Sequence, residues 1–500
     1  MFMWLHKPSV EAAPAASSKV RCKIGYITLT ETVHFIGIGG AGQSGLARVL
    51  ARQGTHVTGS DARESPTLDA LRREPGIVAW GGHAAGHVGD ADLVVATAAA
   101  RRDNPEIVAA LARGIPVISR AEMLGRLMAR YPRSIAISGT HGKTTTTGMT
   151  AMALQAARLD PTVLIGGDLP AWGGNARLGG SDLFVTEACE AYDSFLDLDP
   201  AIAVVTNAEA DHLDYYGDLD NVLRSFRKFL SQVSETVALG AYDANLQMLA
   251  RELREQASGP RVVTFGMDEG ATLRATNVDT SGIGAFYDAQ WQGKPLGRVR
   301  LRVPGLHNVK NSLAALAAGL VLDAPFALLA EGLHAFVGTG RRFETVGETP
   351  SGVLVIDDYA HHPTELRATL TAARQAYPER RVVAVFQPHL PSRTRDFLAD
   401  FAESFGQADL VVLTDIYLAR EPPLEGVTGA SLAALTADRR GADCVTYVAD
   451  KCMLPARLAA LTRPGDLVLT LGAGDIREAG EGLLAGANSS HAPAAVSAAT

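Results

Sequence analysis

The segment with the clearest chemical potential is GTHGKTTTT, residues 139–147. Gly139 and Gly142 allow backbone N–H groups to turn toward an anion, and a following helix N-terminus would add its dipole. Lys143 would reach the outer phosphates of a nucleotide, and the Thr144 hydroxyl would bind Mg²⁺. Only two residues separate Gly139 from the Gly-Lys pair, fewer than in the general phosphate loop, but the chemistry is the same. The segment predicts a nucleotide-phosphate site rather than an ordinary glycine turn.

An acid and a histidine follow this loop near the ends of two apolar runs. Glu187 lies in the run at residues 182–190, where an acid suits an Mg²⁺ or water-orienting role. His212 lies among carboxylates in residues 208–214, where a neutral imidazole could bind a metal. A carboxylate at an ordinary strand end and a solvated acidic loop remain as alternatives.

Polar residues farther along the chain could contact the rest of a nucleotide. Asn308 and Asn311 are three positions apart, so a helix would place both on one face, where their amides could read a purine edge. Arg342 lies in a connector from which it could reach nucleotide phosphates. N-capping by the asparagines and a solvated linker charge are the alternatives.

Two further polar clusters follow predicted strands. The segment DDYAHHPTEL, residues 357–366, places a carboxylate pair, a phenol and two imidazoles at the C-terminal end of a strand, where α/β folds bind ligands. The segment FQPHLPSRTRD, residues 386–396, carries arginines that could fork onto a substrate carboxylate. A hydrophilic strand–helix loop and surface charges on a first helical turn are the alternatives.

A second glycine-rich loop, GIGGAGQSG at residues 37–45, stands between an apolar strand and an apolar-periodic helix. Asp61 ends the next strand, roughly twenty positions on, as acidic residues do in dinucleotide-binding folds. This pattern alone leaves three interpretations open. The loop could hold NAD or FAD, hold the diphosphate of a UDP-sugar, or serve only as a tight turn.

The strands and helices that must position these motifs fall into three α/β units. We predict a Rossmann-like unit at residues 32–132, a central α/β unit with the phosphate loop at 133–337 and a second Rossmann-like unit at 338–485. Residues 1–31 are predicted to be a flexible extension and residues 486–500 a disordered tail, because both are rich in small residues.

Composition narrows the class of function. The chain has 500 residues and a net charge of −8, which argues against general nucleic-acid binding. No apolar run approaches the ~18–20 residues of a membrane span, and the beginning of the chain does not have the pattern of a signal peptide. Four scattered cysteines form neither a zinc spacing nor a disulfide framework. We expect a cytoplasmic enzyme with no nucleic-acid partner and no stable membrane association.

The order and spacing of the motifs resemble the Mur ligase family over about residues 32–480. The resemblance rests on GIGGAGQSG (37–45), GTHGKTTTT (139–147), TEACEAYDSFL (186–196), TNAEADHLDYYG (206–217), PGLHNVKN (304–311), GRRFE (340–344), DDYAHHPTEL (357–366) and FQPHLPSRTRD (386–396). Members of this family have a UDP-sugar domain, a central ATPase domain and an amino-acid domain. The resemblance implies the same three here and argues against a nicotinamide dehydrogenase.

The implied activity is ATP-dependent amide ligation in peptidoglycan precursor synthesis. The resemblance implies that L-alanine is joined to UDP-N-acetylmuramate through an acyl phosphate, with release of ADP and phosphate. ATP and Mg²⁺ are the implied cofactors, and the enzyme would be a monomer or a weak homodimer. Addition of a tripeptide to the same UDP-sugar, in murein-peptide recycling, is one alternative. A non-catalytic nucleotide-binding relative is the other.

The resemblance also implies roles for individual residues. The implied catalytic residues are Lys143, Glu187 and His212, and the implied metal ligands are Thr144, Glu187 and His212. Contacts to ATP are implied for Gly139, Thr140, His141, Gly142, Lys143, Thr144, Thr145, Asn308, Asn311, Arg342 and Asp358. Contacts to the substrates are implied for Gly37, Gly39, Gly40, Ala41, Gly42, Ser44, Asp61, Tyr359, His361, His389 and Arg393.

Three departures from the family pattern bear on these roles. Residues 189–193 are Cys-Glu-Ala-Tyr-Asp, where family members often have Asp-Glu-Ser-Asp-Gly. Leu390 directly follows His389, at a position where family members commonly have arginine. Arg393 would therefore have to bind the amino-acid carboxylate. Lys228 is near the metal residues in sequence, but we do not assign it as a carbamoylated lysine, because this branch of the family generally lacks one.

Overall fold

The computed structural model describes residues 31–490, and these form the three α/β units that the sequence predicts. Of the predicted flexible ends, residues 1–30 and 491–500 lie outside the described residues. Among the helices of the described part, none combines the length and apolarity needed to cross a membrane.

The first unit is a parallel five-stranded sheet in the order β3-β2-β1-β4-β5. Its elements are β1 (Thr32–Ile36), α1 (Ala41–Arg52), β2 (His56–Asp61), α2 (Pro66–Arg72), β3 (Ile77–Gly81), β4 (Leu93–Ala96), α3 (Pro105–Ala112), β5 (Val117–Ser119) and α4 (Arg120–Met128). The chain reverses its winding direction at β1, between β2 and β4. A ligand crevice is expected at such a point, and the first glycine loop lies there.

The second unit has ten strands in the order β15-β14-β13-β12-β11-β10-β6-β9-β7-β8. Its strands are β6 (Arg133–Ser138), β7 (Thr162–Leu169), β8 (Gly174–Arg177), β9 (Leu183–Glu187), β10 (Ile202–Val205), β11 (Thr236–Gly240), β12 (Arg261–Gly266), β13 (Leu273–Asp279), β14 (Ala285–Trp291) and β15 (Lys294–Leu301). Its helices are α5 (Lys143–Ala156), α6 (Leu213–Tyr216), α7 (Leu219–Ser231), α8 (Ala244–Arg254), α9 (Leu306–Val321) and α10 (Phe326–Ala335). The antiparallel extension β13-β14-β15 is absent from the sequence-based expectations.

The third unit is a six-stranded sheet in the order β16-β17-β21-β18-β19-β20, with β16 antiparallel to its neighbour. Its strands are β16 (Glu344–Glu348), β17 (Leu354–Asp358), β18 (Val382–Phe386), β19 (Leu410–Thr414), β20 (Val445–Val448) and β21 (Leu467–Leu471). Its helices are α11 (Pro363–Ala376), α12 (Pro391–Asp396), α13 (Leu398–Glu403), α14 (Gly429–Arg440), α15 (Leu454–Leu461) and α16 (Arg477–Ser490).

Helix α16 corrects one expectation. The composition predicts disorder from residue 486 onward, but the helix continues to Ser490. Leu483 is buried in the core of the third unit, and Leu484 packs against it. The small residues after this anchor contain no helix-breaking proline before the helix ends, so the last turn continues from a packed base.

The central sheet places three loops at one edge. Strands β9, β6 and β10 are adjacent and parallel, with Ile137 opposite Glu187 and Ser138 opposite Val205. Because parallel strands end at the same edge, the phosphate loop after β6, the acidic segment after β9 and the histidine-containing segment after β10 meet there. The site is built at this edge.

Candidate functional site

The phosphate loop connects β6 to α5, and its two glycines have backbone conformations that other residues rarely adopt. Gly139 has a φ of +126° and Gly142 a φ of +84°. A Cβ atom at Gly139 would collide with the Thr206 hydroxyl, and one at Gly142 would collide with the Asn311 side chain. Both positions therefore require glycine for a left-handed turn and for close approach to neighbouring elements.

Lys143 is the first residue of α5, and its side chain folds back over the loop. Its Nζ donates to the Thr140 carbonyl oxygen at 3.0 Å and forms an ion pair with Glu190 Oε2 at 2.8 Å. Burial disfavours the ammonium ion, but the charge and hydrogen bond of Glu190 together with the charge of nearby Glu187 outweigh burial and raise the pKa of Lys143 to about 12. Glu190, to which the sequence analysis gave no role, is the partner of this cation. It stands three residues after Glu187 in the same motif, which was the available indication.

The residues predicted as metal ligands lie around the same strand ends. Thr144 Oγ1 donates to Glu187 Oε2 at 3.2 Å. His212 Nε2 is 3.8 Å from Glu190 Oε1, so Glu190 lies between Lys143 and His212. Burial is the largest cause of the lowered pKa of His212, and its buried Nδ1 has no hydrogen-bond partner. A hydroxyl, a carboxylate and a neutral imidazole fit a divalent cation.

A cavity of about 460 Å³ opens beside the loop, between the second and third units. The residues predicted to contact ATP that line it are His141, Gly142, Thr145, Asn308, Asn311, Arg342 and Asp358. Tyr242 and Lys310 lie in the same wall, although neither has a role predicted from the sequence, and the Lys310 ammonium lies 4.2 Å from the centroid of the Tyr242 ring. An aromatic ring, a cation and amides around a cavity next to a phosphate loop suit a nucleotide.

The two asparagines of α9 are buried, and their amides bind each other. Asn308 Nδ2 donates to the Pro304 carbonyl oxygen at 2.8 Å, and Asn311 Nδ2 donates to Asn308 Oδ1 at 3.3 Å. The N-cap of α9 is Gly305, so neither asparagine caps the helix. Because Asn311 also lies against Gly142, the pair connects α9 to the phosphate loop.

The third unit contributes polar side chains from the end of β17. Asp358 accepts hydrogen bonds from the backbone N–H groups of Phe343 and Ala360, and burial raises its pKa to about 6. The Arg342 guanidinium lies 5.0 Å from the centroid of the Tyr359 ring. This arrangement directs one carboxyl group and one cation of the third unit toward the cavity.

His361 and His389, predicted to face an amino acid, lie close together. Their ring centroids are 6.0 Å apart, and His389 stacks on Tyr417 at 5.6 Å. Burial is the main cause that lowers the pKa of His361 to about 4 and that of His389 to about 3. Both imidazoles are therefore neutral at pH 7 and can accept or donate hydrogen bonds.

Arg393 forms a buried ion pair with Asp211, a partner that the sequence analysis did not identify. Arg393 Nη2 is 2.9 Å from Asp211 Oδ1, and both side chains are 6% exposed. Leu390, one turn earlier, is buried and has a φ of +69°. The position where the family often has arginine is thus filled by an apolar side chain that packs inward.

His141, Glu209 and His362 bring three potential ligand atoms within 4.8 Å of one another, but their hydrogen bonds oppose a metal. His362 Nδ1 accepts from the Thr364 backbone N–H, so its Nε2 carries the proton. Burial opposes a charge on His141, but the nearby carboxylates of Glu209 and Glu365 outweigh burial and raise the pKa of His141 to about 9. Neither imidazole has a free lone pair at neutral pH, and the group instead joins the second unit to the third.

The first glycine loop, between β1 and α1, faces the second unit. The Gly39 backbone N–H donates to Asp61 Oδ2 at 2.9 Å, so the predicted acidic residue contacts the loop itself. Asn175, which the sequence analysis missed, donates to the Ala41 carbonyl oxygen and lies 3.3 Å from the Ser44 hydroxyl. The loop is therefore joined to the central sheet.

The remaining glycines of this loop are closely packed. Gly37 has a φ of +82°, and a Cβ atom there would collide with Thr97. Gly40 is the N-cap of α1. A Cβ atom at Gly42 would lie 2.9 Å from Arg120 Cδ, so the side chain of this arginine borders the loop. The cation beside the first loop comes from another helix, whereas the phosphate loop contains its own.

A buried carboxylate supports the end of β2 beside this loop. Glu106 Oε2 accepts from the Ser60 hydroxyl at 2.6 Å and lies 3.1 Å from His83 Nδ1, and Glu106 Oε1 is 3.0 Å from His87 Nδ1. Burial opposes its ionisation, but His34, Ser60 and His87 outweigh burial and hold the pKa of Glu106 at about 2. This network holds Ser60 at the end of β2, directly before Asp61, the acidic residue that contacts the loop.

The departures at residues 189–193 form an ordered turn. Tyr192 and Asp193 have φ angles of +56° and +59°. Asp193 accepts hydrogen bonds from the hydroxyl groups of Tyr215, at 3.0 Å, and Tyr216, at 3.1 Å. The unusual residues are therefore packed onto α6, the helix that follows His212, and do not displace Glu187 or Glu190.

Family comparisons cover most of the chain. Residues 32–132 match "Mur ligase family, catalytic domain", residues 137–319 match "Mur ligase middle domain", and residues 341–474 match "Mur ligase, glutamate ligase domain". The three matched segments correspond to the three sheets described above.

Individual relatives are similar over nearly their whole length. The UDP-N-acetylmuramate–L-alanine ligase of Trichlorobacter lovleyi is 47% identical over 457 residues, which cover 91% of this chain and 98% of that protein. The enzyme of the same name from Salinibacter ruber is 47% identical over 452 residues, covering 90% and 93%. The crystal structure of UDP-N-acetylmuramate-alanine ligase from Thermotoga maritima superposes with a TM-score of 0.77 at 31% identity, covering 92% and 99%. A murein peptide ligase from Psychrobacter arcticus superposes with a TM-score of 0.67 at 25% identity, covering 91% and 98%.

Proposed function

Because the chain belongs to the Mur ligase family, we propose that it joins L-alanine to UDP-N-acetylmuramate and converts ATP to ADP and phosphate. Relatives with this name align over about nine-tenths of the chain, which supports these substrates. Since ATP and the UDP-sugar are cytoplasmic metabolites, we place the reaction in the cytoplasm. The observation that carries the proposal is the phosphate loop with Lys143, Glu187 and Glu190 at one sheet edge.

The chemistry requires such a site because a carboxylate does not react with an amine directly. Its leaving group would be oxide, so a carboxylate oxygen of the UDP-sugar first attacks the γ-phosphate, and the bond to ADP breaks. The alanine amine then attacks the acyl phosphate carbon, inorganic phosphate leaves, and the amine loses a proton. The first step brings two anions together, and a fixed cation such as Lys143 offsets their repulsion.

Thr144, Glu187 and His212 would hold Mg²⁺, with Glu190 behind them. When bound, this ion supplies positive charge that neutralises phosphate oxygens. The unpartnered Nδ1 and lowered pKa of His212 support this role, because a metal ligand must keep a lone pair. Glu190 would keep both His212 and Lys143 in place.

We assign ATP to the cavity between the second and third units. The residues proposed to contact it are Gly139, Thr140, His141, Gly142, Lys143, Thr144, Thr145, Asn308, Asn311, Arg342 and Asp358, and most of these line the cavity or the adjoining loop. We assign the UDP-sugar to the first glycine loop, where Asp61 already contacts a backbone N–H group and could also bind a ribose hydroxyl.

We assign the amino acid to the third unit, at Tyr359, His361, His389 and Arg393. The neutral imidazoles would leave Arg393 as the cation for the α-carboxylate. Since most residues assigned to ATP lie on the second unit, and the others and those assigned to alanine lie on the third, turnover would require the two units to be closed on each other.

The deciding experiment measures ATP-dependent phosphate release with UDP-N-acetylmuramate, using either L-alanine or L-Ala-γ-D-Glu-diaminopimelate as acceptor. We expect phosphate release with L-alanine and none with the tripeptide. Release only with the tripeptide would make the protein a murein-peptide recycling ligase. Silence with both, in a protein that binds ATP, would make it a non-catalytic nucleotide-binding relative.

A further inference from the structure

A buried ion pair joins the second and third units near both the proposed metal residues and the proposed amino-acid residues. Arg393 Nε and Nη2 donate to Asp211 Oδ1 at 3.1 and 2.9 Å, and Nη2 also donates to Asp211 Oδ2 at 3.3 Å. Each side chain is 6% exposed. Because moving either partner would leave a buried charge without compensation, the pair fixes the plane of the guanidinium.

This contact uses only one edge of the guanidinium. Asp211 binds the edge formed by Nε and Nη2, while Nη1 lies 3.4 Å from His389 Nδ1. His389 is itself held by stacking on Tyr417. The Nη1 edge of Arg393 therefore lies on the side of the proposed amino-acid residues, with its orientation fixed by contacts on both sides.

The same carboxylate also contacts the loop that carries His212. Asp211 Oδ1 accepts from the His212 backbone N–H at 2.7 Å, and Asp211 Oδ2 is 3.8 Å from His212 Nε2. One side chain thus touches the proposed metal ligand and an arginine that is 182 positions away in the chain. The orientation of Arg393 is thereby set relative to the phosphate end of the site.

We propose that Asp211 is a positioning residue for the amino-acid substrate. It orients Arg393 so that the Nη1 edge binds the α-carboxylate of alanine while the amine faces the acyl phosphate. This inference rests on the proposed function. It also accounts for Leu390, because one guanidinium held in a single orientation can recognise the carboxylate without a second arginine.

The test separates the two halves of the reaction with Asp211→Asn, which keeps the side-chain size and removes its charge. Hydroxylamine, an amine without a carboxylate, traps the acyl phosphate as a hydroxamate and so reports the first half. We expect the KM for L-alanine to rise at least about 30-fold, with hydroxamate formation and the KM for ATP within about 3-fold of wild type. Steady-state assays with each substrate varied give both values.

Arg393→Lys breaks the same contact from the other side, keeps a positive charge and leaves the neighbour of His212 unchanged. We expect the same selective rise in the KM for alanine, because an ammonium cannot fork onto Asp211. Since the two residues act as a unit, the KM for alanine of the double variant should be no more than about 3-fold above that of the more impaired single variant. Arg393→Lys alone does not decide the proposal, because Arg393 is itself assigned to the alanine carboxylate. If Asp211→Asn does not fold, by circular dichroism, Asp211→Glu, which keeps the charge and displaces the carboxylate, is tested by the same selective rise in the KM for alanine.

Asp214→Asn is the matched control. Asp214 lies in α6, three residues after Asp211, and also faces an arginine of the third unit, Arg420, at 4.0 Å, but the Asp214 and Arg420 side chains are 26% and 39% exposed. The KM of the Asp214→Asn variant for alanine should stay within about 2-fold of wild type. Parallel losses of hydroxamate formation and alanine-dependent turnover in Asp211→Asn would overturn the proposal, and so would an equal rise in KM in the control. Absence of both products with wild-type protein would refute the proposed function instead.

Discussion

The two glycine loops of the chain share an architecture and differ in their charges. Each connects a strand in the interior of a sheet to a helix, β1 to α1 in the first unit and β6 to α5 in the second. The phosphate loop contains its own cation, Lys143, paired with the buried carboxylate of Glu190. The first loop, residues 37–45, contains no lysine or arginine, and its Gly39 N–H group binds the carboxylate of Asp61.

This difference shows what glycine geometry does and does not determine. A left-handed glycine between a strand and a helix lets an anion or a hydroxyl approach the backbone. The charged side chains around it decide whether the bound group is only held or also activated. We therefore expect changes at the phosphate loop to reduce turnover, and changes at the first loop to weaken binding of one substrate.

The largest effect should follow Lys143→Ala. Without this cation the repulsion between the carboxylate and the γ-phosphate is not offset, so kcat should fall by at least about 10³-fold. Phosphate release measures the loss, and circular dichroism checks that the protein stays folded. The control is Lys228→Ala, at an exposed position on α7, which should keep wild-type activity. Near-normal turnover of Lys143→Ala would remove the distinction between the two loops.

Glu190→Gln should give the next largest effect. Glutamine cannot balance the charge of Lys143 and cannot attract a cation near His212, so we expect kcat to fall about 10²-fold. The KM for the UDP-sugar should change little, because that substrate is assigned to the other loop. A kcat within about 3-fold of wild type would show that Lys143 keeps its position without Glu190.

Asp61→Asn should have a smaller effect and of another kind. The asparagine amide can still accept from the Gly39 N–H, but it lacks the charge that strengthens a bond to a ribose hydroxyl. We expect the KM for UDP-N-acetylmuramate to rise about 10-fold and that for ATP to stay within about 2-fold. Asp69→Asn, at an exposed side chain of the same unit, is the control. An equal rise for both substrates would contradict separate sites.

The fold and the two loops could be predicted because the features that define them are local. The phosphate loop is a short apolar strand, two glycines, a lysine and a helix within one segment of the chain, and β18 is an uninterrupted apolar run. The resemblance to the Mur ligase family and the three α/β units are confirmed by the family matches and the superposition on the Thermotoga maritima structure. The proposed role of each residue stays a prediction.

The missed features depend on residues that are distant in sequence. Arg393 meets Asp211 only because the third unit packs against the second, and no spacing in either motif indicates this partner. Lys310 stacks on Tyr242 across two elements of the cavity wall. The antiparallel strands β13 to β15 escaped prediction because turn residues and polar residues interrupt their alternation.

The smallest expected effect concerns Glu106, the buried carboxylate beside the first loop. Histidines and a hydroxyl bind Glu106, whereas Lys143 binds Glu190 beside the phosphate loop. The pKa of Glu106 is lowered to about 2, so its stabilisation is complete above its ordinary value near 4.5 and is lost as pH falls toward 2. Between pH 6 and pH 4 the loss should be about 1 kcal/mol, visible as a lower unfolding midpoint. In Glu106→Gln the midpoint should be lower at pH 6, and the gap to wild type should narrow at pH 4. Glu122→Gln, at a partly exposed i,i+4 pair, is the control. A gap that stays constant with pH would show that Glu106 stabilises the strand end through its shape and not through its charge.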